Sequence, residues 1–170
     1  MEYLSQFFPS NWIKEHNIYG IEFTKEISIG FIERIQGGYS YLSIDEFQEL
    51  QITPIKLLET SIERLKNSLE NCDLKIYKTE TGKICFWGSE NDNFSAVRIL
   101  IPEYQKIIKE NIGENFNFSI PSRDIITCWK TTSEKEDNKF KRETEEDFND
   151  EEYNLSKKIY TWTNITYCKK

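Results

Sequence analysis

The apolar residues of this chain change their period several times, and this alternation limits the folds that the chain can adopt. Residues 26–35 read EISIGFIERI, a strand-like run, and Gly37-Gly38 separates it from a second run, YSYLS at 39–43. Further along, DLKIYKT and KICFW flank residues 80–82. Short runs of strand character that are joined by glycine-containing turns are typical of β-hairpins. The pattern therefore predicts antiparallel strand pairs and not the regular winding of a parallel sheet.

Helical signals stand between these hairpins. Ser43 and Glu46 have the spacing of a capping box, which predicts a short helix over IDEFQEL. Thr53-Pro54 provides an N-cap hydroxyl followed by a proline at the first helical position, and so opens the longest predicted helix. The apolar stripe of that helix has helical spacing and comprises Leu58, Ile62, Leu65 and Leu69.

Further helices and strands are predicted at the N-terminus and after residue 101. Residues 2–8 are predicted to form a short helix that Pro9 terminates. Pro102 opens a helix that Gly113 ends. Its predicted inward face consists of Ile107, Ile108 and Ile112. Three later runs are predicted strands: NFNFSI, IITCW and, at the end of the chain, KKIYTWTNITY.

Length and composition fit one globular domain. The chain has 170 residues, of which 38% are hydrophobic, and a chain of this size buries about 70% of its unfolded surface. We predict a single α+β domain over residues 1–170, with a mixed or antiparallel-rich sheet, helices packed on it, and a short N-terminal packing segment at 1–20. The predicted core comprises Leu58, Ile62, Leu65, Ile99, Ile107, Ile120, Ile126 and Ile159.

The sequence predicts no targeting segment. Its first residues lack a basic start followed by an apolar run, and it contains no stretch of about 18 apolar residues. We therefore expect a cytoplasmic protein that does not bind membranes. The cysteines stand singly at 72, 85, 128 and 168, without a CxxC pair, so we expect free thiols, no disulfide and no metal.

The residues that support common enzyme chemistry are scarce. His16 is the only histidine and lies in a polar stretch, which argues against Ser-His or Cys-His nucleophilic catalysis. The seven glycines form no phosphate-binding loop. Asp73 and Lys75 have the spacing of some nuclease sites, but a solvated strand edge is the preferred interpretation. The oxygen-rich runs 91–93 and 147–150 lack calcium-loop spacing. We expect no cofactor and no catalytic residues.

The negative charge of the chain is concentrated in one stretch. The formal net charge is −7, and residues 133–152 contain ten acidic and four basic residues, a net of −6. Either this stretch is a solvated amphipathic helix with Phe140 and Phe148 facing the core, or it is an acidic docking face for a basic protein. Acidic chains are poor ligands for nucleic acid, so we expect none.

Aromatic residues surround the acidic stretch in the sequence, and aromatics beside charges are common in protein interfaces. The acidic members of the predicted partner-binding set are Glu143, Glu145, Glu146, Asp147 and Asp150. Its aromatic members are Trp129, Tyr153 and Trp162, and any of these rings could equally belong to the core.

Three segments in a fixed order resemble a known family. LSIDEFQELQITPIKLLETSIERL at 42–65 is followed by NFSAVRILIPEY at 93–104 and FNFSIPSRDIITCW at 116–129. Across residues 41–162 the chain resembles the bacterial domain-of-unknown-function family 1444 (YtpQ-like). The resemblance implies a fold and a bacterial or phage origin, but no activity.

Residue by residue, the resemblance extends to Arg98 with its neighbours 99–100, and to Pro121 with Arg123 and Asp124. A bidentate pair between Arg98 and Asp124 is the favoured structural role for these residues. The alternative is that Arg98 and Arg123 bind a ligand or a partner.

Together these features favour a binding protein over an enzyme. The leading hypothesis is an immunity-type protein that neutralises a bacterial toxin by steric occlusion, with a basic toxin or defence effector as its partner. A phage or mobile-element inhibitor of a host defence complex is the first alternative. A small enzyme that uses carboxylates with Arg98 or Arg123 is the second.

Overall fold

A computed structural model of the chain describes residues 2–68, 75–78, 83–87, 93–130 and 133–165. These residues form helices and antiparallel sheets, so the predicted α+β class is confirmed. The chain divides into two compact units, one containing residues 2–68 and the other the described residues from 75 to 165. The secondary structure forms two sheets where the sequence predicted one. The single domain over residues 1–170 stays a prediction.

The first unit is a small antiparallel sheet with three helices. Its central strand, β3, pairs with each of the other three strands of the sheet. The strands are β1 (Leu4–Pro9), β2 (Gly20–Glu22), β3 (Ile27–Ile35) and β4 (Gly38–Tyr41). The helices are α1 (Ser10–Glu15), α2 (Ile44–Glu49) and α3 (Pro54–Ser68).

The N-terminal helix predicted at 2–8 is wrong, because Leu4–Pro9 is the strand β1. All residues from Leu4 to Phe8 are buried, so both faces of the segment are covered, whereas a short amphipathic helix would bury one side. β1 pairs with β3, and α3 packs against it, with Ser5 and Ser61 hydroxyls 2.6 Å apart. These partners lie too far along the chain to appear in a local pattern.

The local signals of the first unit are confirmed. β3 and β4 form the predicted hairpin, and Gly37 adopts the left-handed φ of 89° that its turn requires. The capping box at Ser43 and Glu46 is present, and the Thr53 hydroxyl accepts a hydrogen bond from the backbone N–H of Lys56 at 3.2 Å.

The apolar stripe of α3 is confirmed in part. Leu58 and Leu65 are buried, whereas Ile62 is half-buried because the buried side of the helix passes through Ser61. Several residues named above lie outside the described part of the chain: Leu69, Cys72, Asp73, residues 80–82, Asn91, Asp92 and Cys168.

The second unit is a sheet in the order β5-β6-β8-β7-β9, antiparallel at every pairing. Its strands are β5 (Lys75–Lys78), β6 (Lys83–Trp87), β7 (Asn117–Ser119), β8 (Ile126–Trp129) and β9 (Ile159–Thr161). Its helices are α4 (Pro102–Ile112) and α5 (Glu134–Asp150), with 3-10 turns at Ala96–Leu100 and Trp162–Asn164. The predicted last strand is therefore shorter than expected.

Two core predictions in this unit need correction. Ile107 is 37% exposed, whereas Ile108 and Ile112 are buried. Adjacent helical residues point about 100° apart, so the face set by Ile108 and Ile112 excludes Ile107. Ile159 is only half-buried because β9 is the last strand of the sheet. The predicted core residues Ile99, Ile120 and Ile126 are fully buried.

Among the described residues, no helix is long and apolar enough to cross a membrane.

Candidate functional site

The acidic stretch predicted from the sequence is the helix α5, which is anchored through its inner face. Phe140 and Thr144 are buried on that face, and the Thr144 hydroxyl donates to the carbonyl of Phe140 at 2.7 Å. The ring of Trp129, on β8, stacks on Phe140 with centroids 4.4 Å apart, and its indole N–H donates to Asp137 Oδ1 at 3.0 Å. These contacts fix the first half of α5 against the sheet.

Charge is distributed unevenly along α5. Residues 134–142 contain three acidic and four basic residues, whereas residues 143–152 contain seven acidic residues and no basic one. We call Glu143, Glu145, Glu146, Asp147 and Asp150 the acidic end of α5. The C-terminus of a helix already carries partial negative charge, and the interaction of one exposed charge with it is worth roughly 0.3–1 kcal/mol. The acidic end therefore opposes the helix dipole.

The pKa of Asp147 reflects this arrangement. Partial burial is the largest cause that raises it, and the neighbouring carboxylates add to the effect, led by Glu143 and Glu151. One side chain of the group has a counterion, since Glu143 Oε1 lies 3.5 Å from Lys139 Nζ across one turn of the helix. Each carboxylate thus disfavours the ionised form of its neighbours. The ion pair between Lys139 and Glu143 offsets this repulsion only at the N-terminal side of the acidic end.

The carboxylates of the acidic end do not form a metal site. Within the described residues, no group of three or more histidine, cysteine, aspartate or glutamate side chains is arranged to hold an ion. Side chains that follow one helix point in different directions around its axis, whereas an ion needs donors that converge on one point.

The chain that follows α5 is tied to the turn at 121–124. Leu155 donates its N–H to the carbonyl of Pro121 at 2.7 Å, and Arg123 donates its N–H to the carbonyl of Tyr153 at 3.1 Å. The Arg123 guanidinium carbon lies 5.0 Å from the centroid of the Tyr153 ring, a cation–π distance. Tyr153 is 47% exposed, so an orientated aromatic ring stands just after the acidic end.

Two further side chains close the C-terminus of α5. Asn154 donates from its side-chain amide to the carbonyl of Phe148 at 3.3 Å. Lys157 donates to Asn149 Oδ1 at 2.8 Å and lies 4.8 Å from the centroid of the Phe148 ring. The set of residues predicted from the sequence omits Lys157, although its position soon after an acidic run was a signal. The lysine binds an amide and an aromatic face. Within the acidic end, Glu145, Glu146 and Asp150 are exposed, whereas Glu143 and Asp147 are half-buried.

Several predicted site residues are not at the surface. Trp129 and Arg98 are both 1% exposed. Trp129 is held by α5, and Arg98 lies within the 3-10 turn 96–100, whose side chains are all buried. Trp162 is half-buried and stacks on Phe116 with centroids 5.4 Å apart. The candidate surface therefore consists of the acidic end with Tyr153 and Arg123, and excludes Trp129 and Arg98.

The segments that carry Arg98 and Asp124 are adjacent. Ala96, two residues before Arg98, donates its N–H to the carbonyl of Arg123 at 2.9 Å. The Arg98 Nη1 lies 3.5 Å from the hydroxyl of Ser95. The bidentate pair between Arg98 and Asp124 stays a prediction. Burial of Arg98 favours the structural role, because a guanidinium that is 1% exposed offers almost no surface for a partner to contact.

Comparisons of this chain with protein-family models, curated proteins and solved structures find no significant match. The resemblance to family 1444 therefore stays a prediction that rests on the segments quoted above.

Proposed function

We propose that this protein is a non-enzymatic binding protein of the immunity type, which neutralises a basic bacterial toxin in the cytoplasm by steric occlusion. The observation that carries the proposal is the separation of charge along α5. Five of the seven acidic residues of 143–152 lie in the C-terminal half of α5 and the other two follow it, on the side of the helix dipole that disfavours negative charge. A cationic partner would relieve that repulsion on binding.

The acidic end and Tyr153 would have different roles. Exposed carboxylates attract a basic partner over a distance of about one Debye length, roughly 8 Å at physiological salt, and so speed encounter. Tyr153 is an exposed aromatic ring of the kind that contributes much of the affinity in protein interfaces. Arg123 holds that ring in place by its cation–π contact. A toxin bound over both would have part of its own surface covered.

Two alternative functions predict different observations. A phage or mobile-element inhibitor of a defence complex would use the same surface, and the neighbouring genes distinguish it from an immunity protein. A small enzyme would need its arginines and carboxylates around one cleft. Two clefts among the described residues are lined by other side chains, one by residues that include Arg34 and Arg64, and the other by residues of α4 with Glu114.

The test is the association rate with the basic protein encoded beside the gene, measured by stopped-flow fluorescence. The variant has Glu143, Glu145, Glu146 and Asp147 replaced by their amides. Since electrostatic steering raises association rates by about 10–10³-fold, we expect the variant to associate about tenfold more slowly at low salt. The rate of the unmodified protein should fall as salt rises, and the rate of the variant should respond much less.

A matched control changes the net charge equally at another place. Asp45, Glu49, Glu59 and Glu63 are exposed carboxylates on α2 and α3, and their amide variant should retain most of the rate. Tyr153→Ala should instead raise the dissociation rate of the complex, by about thirtyfold if the ring contributes about 2 kcal/mol to binding. Equal rates and salt slopes for both charge variants would contradict docking through the acidic end.

A further inference from the structure

Strand β5 is an exposed edge of the second sheet. It pairs with β6 on one side, and among the described residues no strand pairs with its other side. All four residues of the strand are exposed, including the apolar Ile76 at 42% and Tyr77 at 48%. The strand therefore presents unpaired backbone groups together with two large apolar side chains.

The sequence of β5 is Lys-Ile-Tyr-Lys, which places a cation at each end of the edge. Side chains alternate across a strand, so Lys75 and Tyr77 lie on one face and Ile76 and Lys78 on the other. Each face thus offers one apolar group and one positive charge. The charge of β5 is therefore positive, opposite in sign to that of the acidic end of α5.

The lysines disfavour pairing between two copies of this chain. When two β5 strands pair antiparallel with Ile76 opposite the partner's Tyr77, each Lys75 lies opposite a Lys78. Like charges directly opposite each other destabilise a strand pair, and lysines on edge strands commonly prevent aggregation in this way. A strand with acidic residues opposite Lys75 and Lys78 would be attracted at both positions.

We propose that the outer edge of β5 binds an extended acidic segment of another protein, which adds one strand to this sheet. The complementary segment has carboxylates three positions apart, opposite Lys75 and Lys78, and two apolar residues between them. This pattern reads the same in both chain directions, so it fits parallel and antiparallel addition. Backbone hydrogen bonds would supply affinity, and the paired charges would supply specificity.

The first experiment is a nuclear magnetic resonance titration of the isotope-labelled full chain with capped peptides. The probe is Thr-Glu-Val-Val-Glu-Thr, and the matched control peptide is Thr-Lys-Val-Val-Lys-Thr. We expect the acidic peptide to bind, with shifts at β5 and β6, and the basic one not to bind. In the variant K75E/K78E the preference between the two peptides should reverse, and the affinity for the acidic peptide should fall by about tenfold or more.

The second experiment tests whether the backbone of β5 is used. In an antiparallel pair, adjacent residues direct their N–H groups to opposite sides, so one of Ile76 and Tyr77 points its N–H toward β6 and the other points it outward. Proline lacks that N–H and is tolerated on the outer side of an edge strand. The proline variant of whichever residue points its N–H outward, Ile76→Pro or Tyr77→Pro, should therefore keep the fold but no longer bind the acidic peptide.

Three results would overturn the proposal: no binding of either peptide, equal binding of both, or unchanged binding when the outward N–H is removed. If the acidic peptide fails to bind while Lys75→Ser with Lys78→Ser makes the chain self-associate, the lysines serve only to prevent aggregation. All of these outcomes are independent of docking through the acidic end of α5.

Discussion

Helices α2 and α5 both carry carboxylates in their first turns, but α5 carries a further cluster, the acidic end, in its C-terminal half. In α2, Asp45 and Glu46 lie in the first turn, where the helix dipole favours negative charge. The Glu46 carboxylate accepts hydrogen bonds from the Ser43 backbone N–H at 2.8 Å and hydroxyl at 2.7 Å, and these lower its pKa. In α5 the acidic end follows the anchored half, and the pKa of Asp147 is raised.

The comparison separates carboxylates that stabilise the fold from carboxylates that do not. Glu46 of α2 accepts from the Ser43 backbone N–H, a donor that the helix would otherwise leave without a partner. The carboxylates at the acidic end of α5 repel one another, and α5 is held by the packing of Phe140 and Thr144 instead. Residues that weaken their own helix are candidates for a role in binding.

The largest expected effect concerns the anchor of α5. Phe140→Ala should lower the free energy of unfolding by about 3–5 kcal/mol, since it removes a buried ring that stacks on Trp129. Denaturant unfolding measures this loss. Leu65→Ala in α3 is the matched core change, with an expected loss of about 2–5 kcal/mol. A loss well under about 1 kcal/mol for Phe140→Ala would show that packing does not hold α5.

The next effect concerns the cap of α2. Ser43→Ala removes the hydroxyl that accepts from the Glu46 N–H and donates to its carboxylate, and should cost about 0.5–2 kcal/mol of stability. Ser133→Ala in α5 removes a simple cap without the reciprocal glutamate bond. Thermal unfolding of both variants should therefore show the larger loss for Ser43. A larger loss for Ser133 would contradict the advantage of the capping box.

A third prediction uses the opposite pKa shifts of the two helices. The lowered pKa of Glu46 means that its stabilisation is present above its ordinary value of 4.5 and is lost as the pH falls through the lowered pKa. Glu46→Gln should therefore be less stable than the unmodified protein at neutral pH, and the difference should shrink in acid.

Asp147 should behave in the opposite sense. Its raised pKa means that the ionised form is disfavoured in the folded state, and that the cost is relieved as the pH falls through the raised pKa. Asp147→Asn should be the more stable protein at neutral pH, and this advantage should disappear in acid. Denaturant unfolding in steps from about pH 7 to pH 3 measures both variants. Shifts of the same sign in both would refute the comparison.

The smallest effect is expected from neutralising the acidic end. The amide variant of Glu143, Glu145, Glu146 and Asp147 should change the free energy of unfolding by about 0.5 kcal/mol or less, because two of these side chains are exposed and the other two are only half-buried. Any change should be a gain, since like charges are removed. A clear loss of stability would show that these carboxylates support the fold, and would remove the reason to assign them to binding.

The candidate site could be predicted from the sequence only in part. The acidic end follows from a count of charges along 133–152, because no other stretch departs so far from neutrality. The exposure of Tyr153 and the burial of Trp129 could not be predicted, since both are aromatic and lie close to the same stretch. Their difference depends on what each ring contacts: Trp129 meets Phe140, and Tyr153 meets Arg123 at the surface.

The sequence by itself determined the features that depend on neighbours a few residues apart. The capping box at Ser43, the turn at Gly37 and the end of α4 at Gly113, with its φ of 94°, all follow from local hydrogen bonds and steric limits on the backbone. These forces operate within one turn of chain, so the residues that express them are adjacent in the sequence.

Only the tertiary structure decided which segments meet. Leu4–Pro9 is a strand because β3, which lies well beyond it in the chain, pairs with it. At Gly30 of that strand an added Cβ would lie 2.7 Å from the ring of Phe8, a contact that no local pattern shows. The division into two sheets has the same origin. Burial and strand pairing are long-range properties, and they override local preference wherever the two disagree.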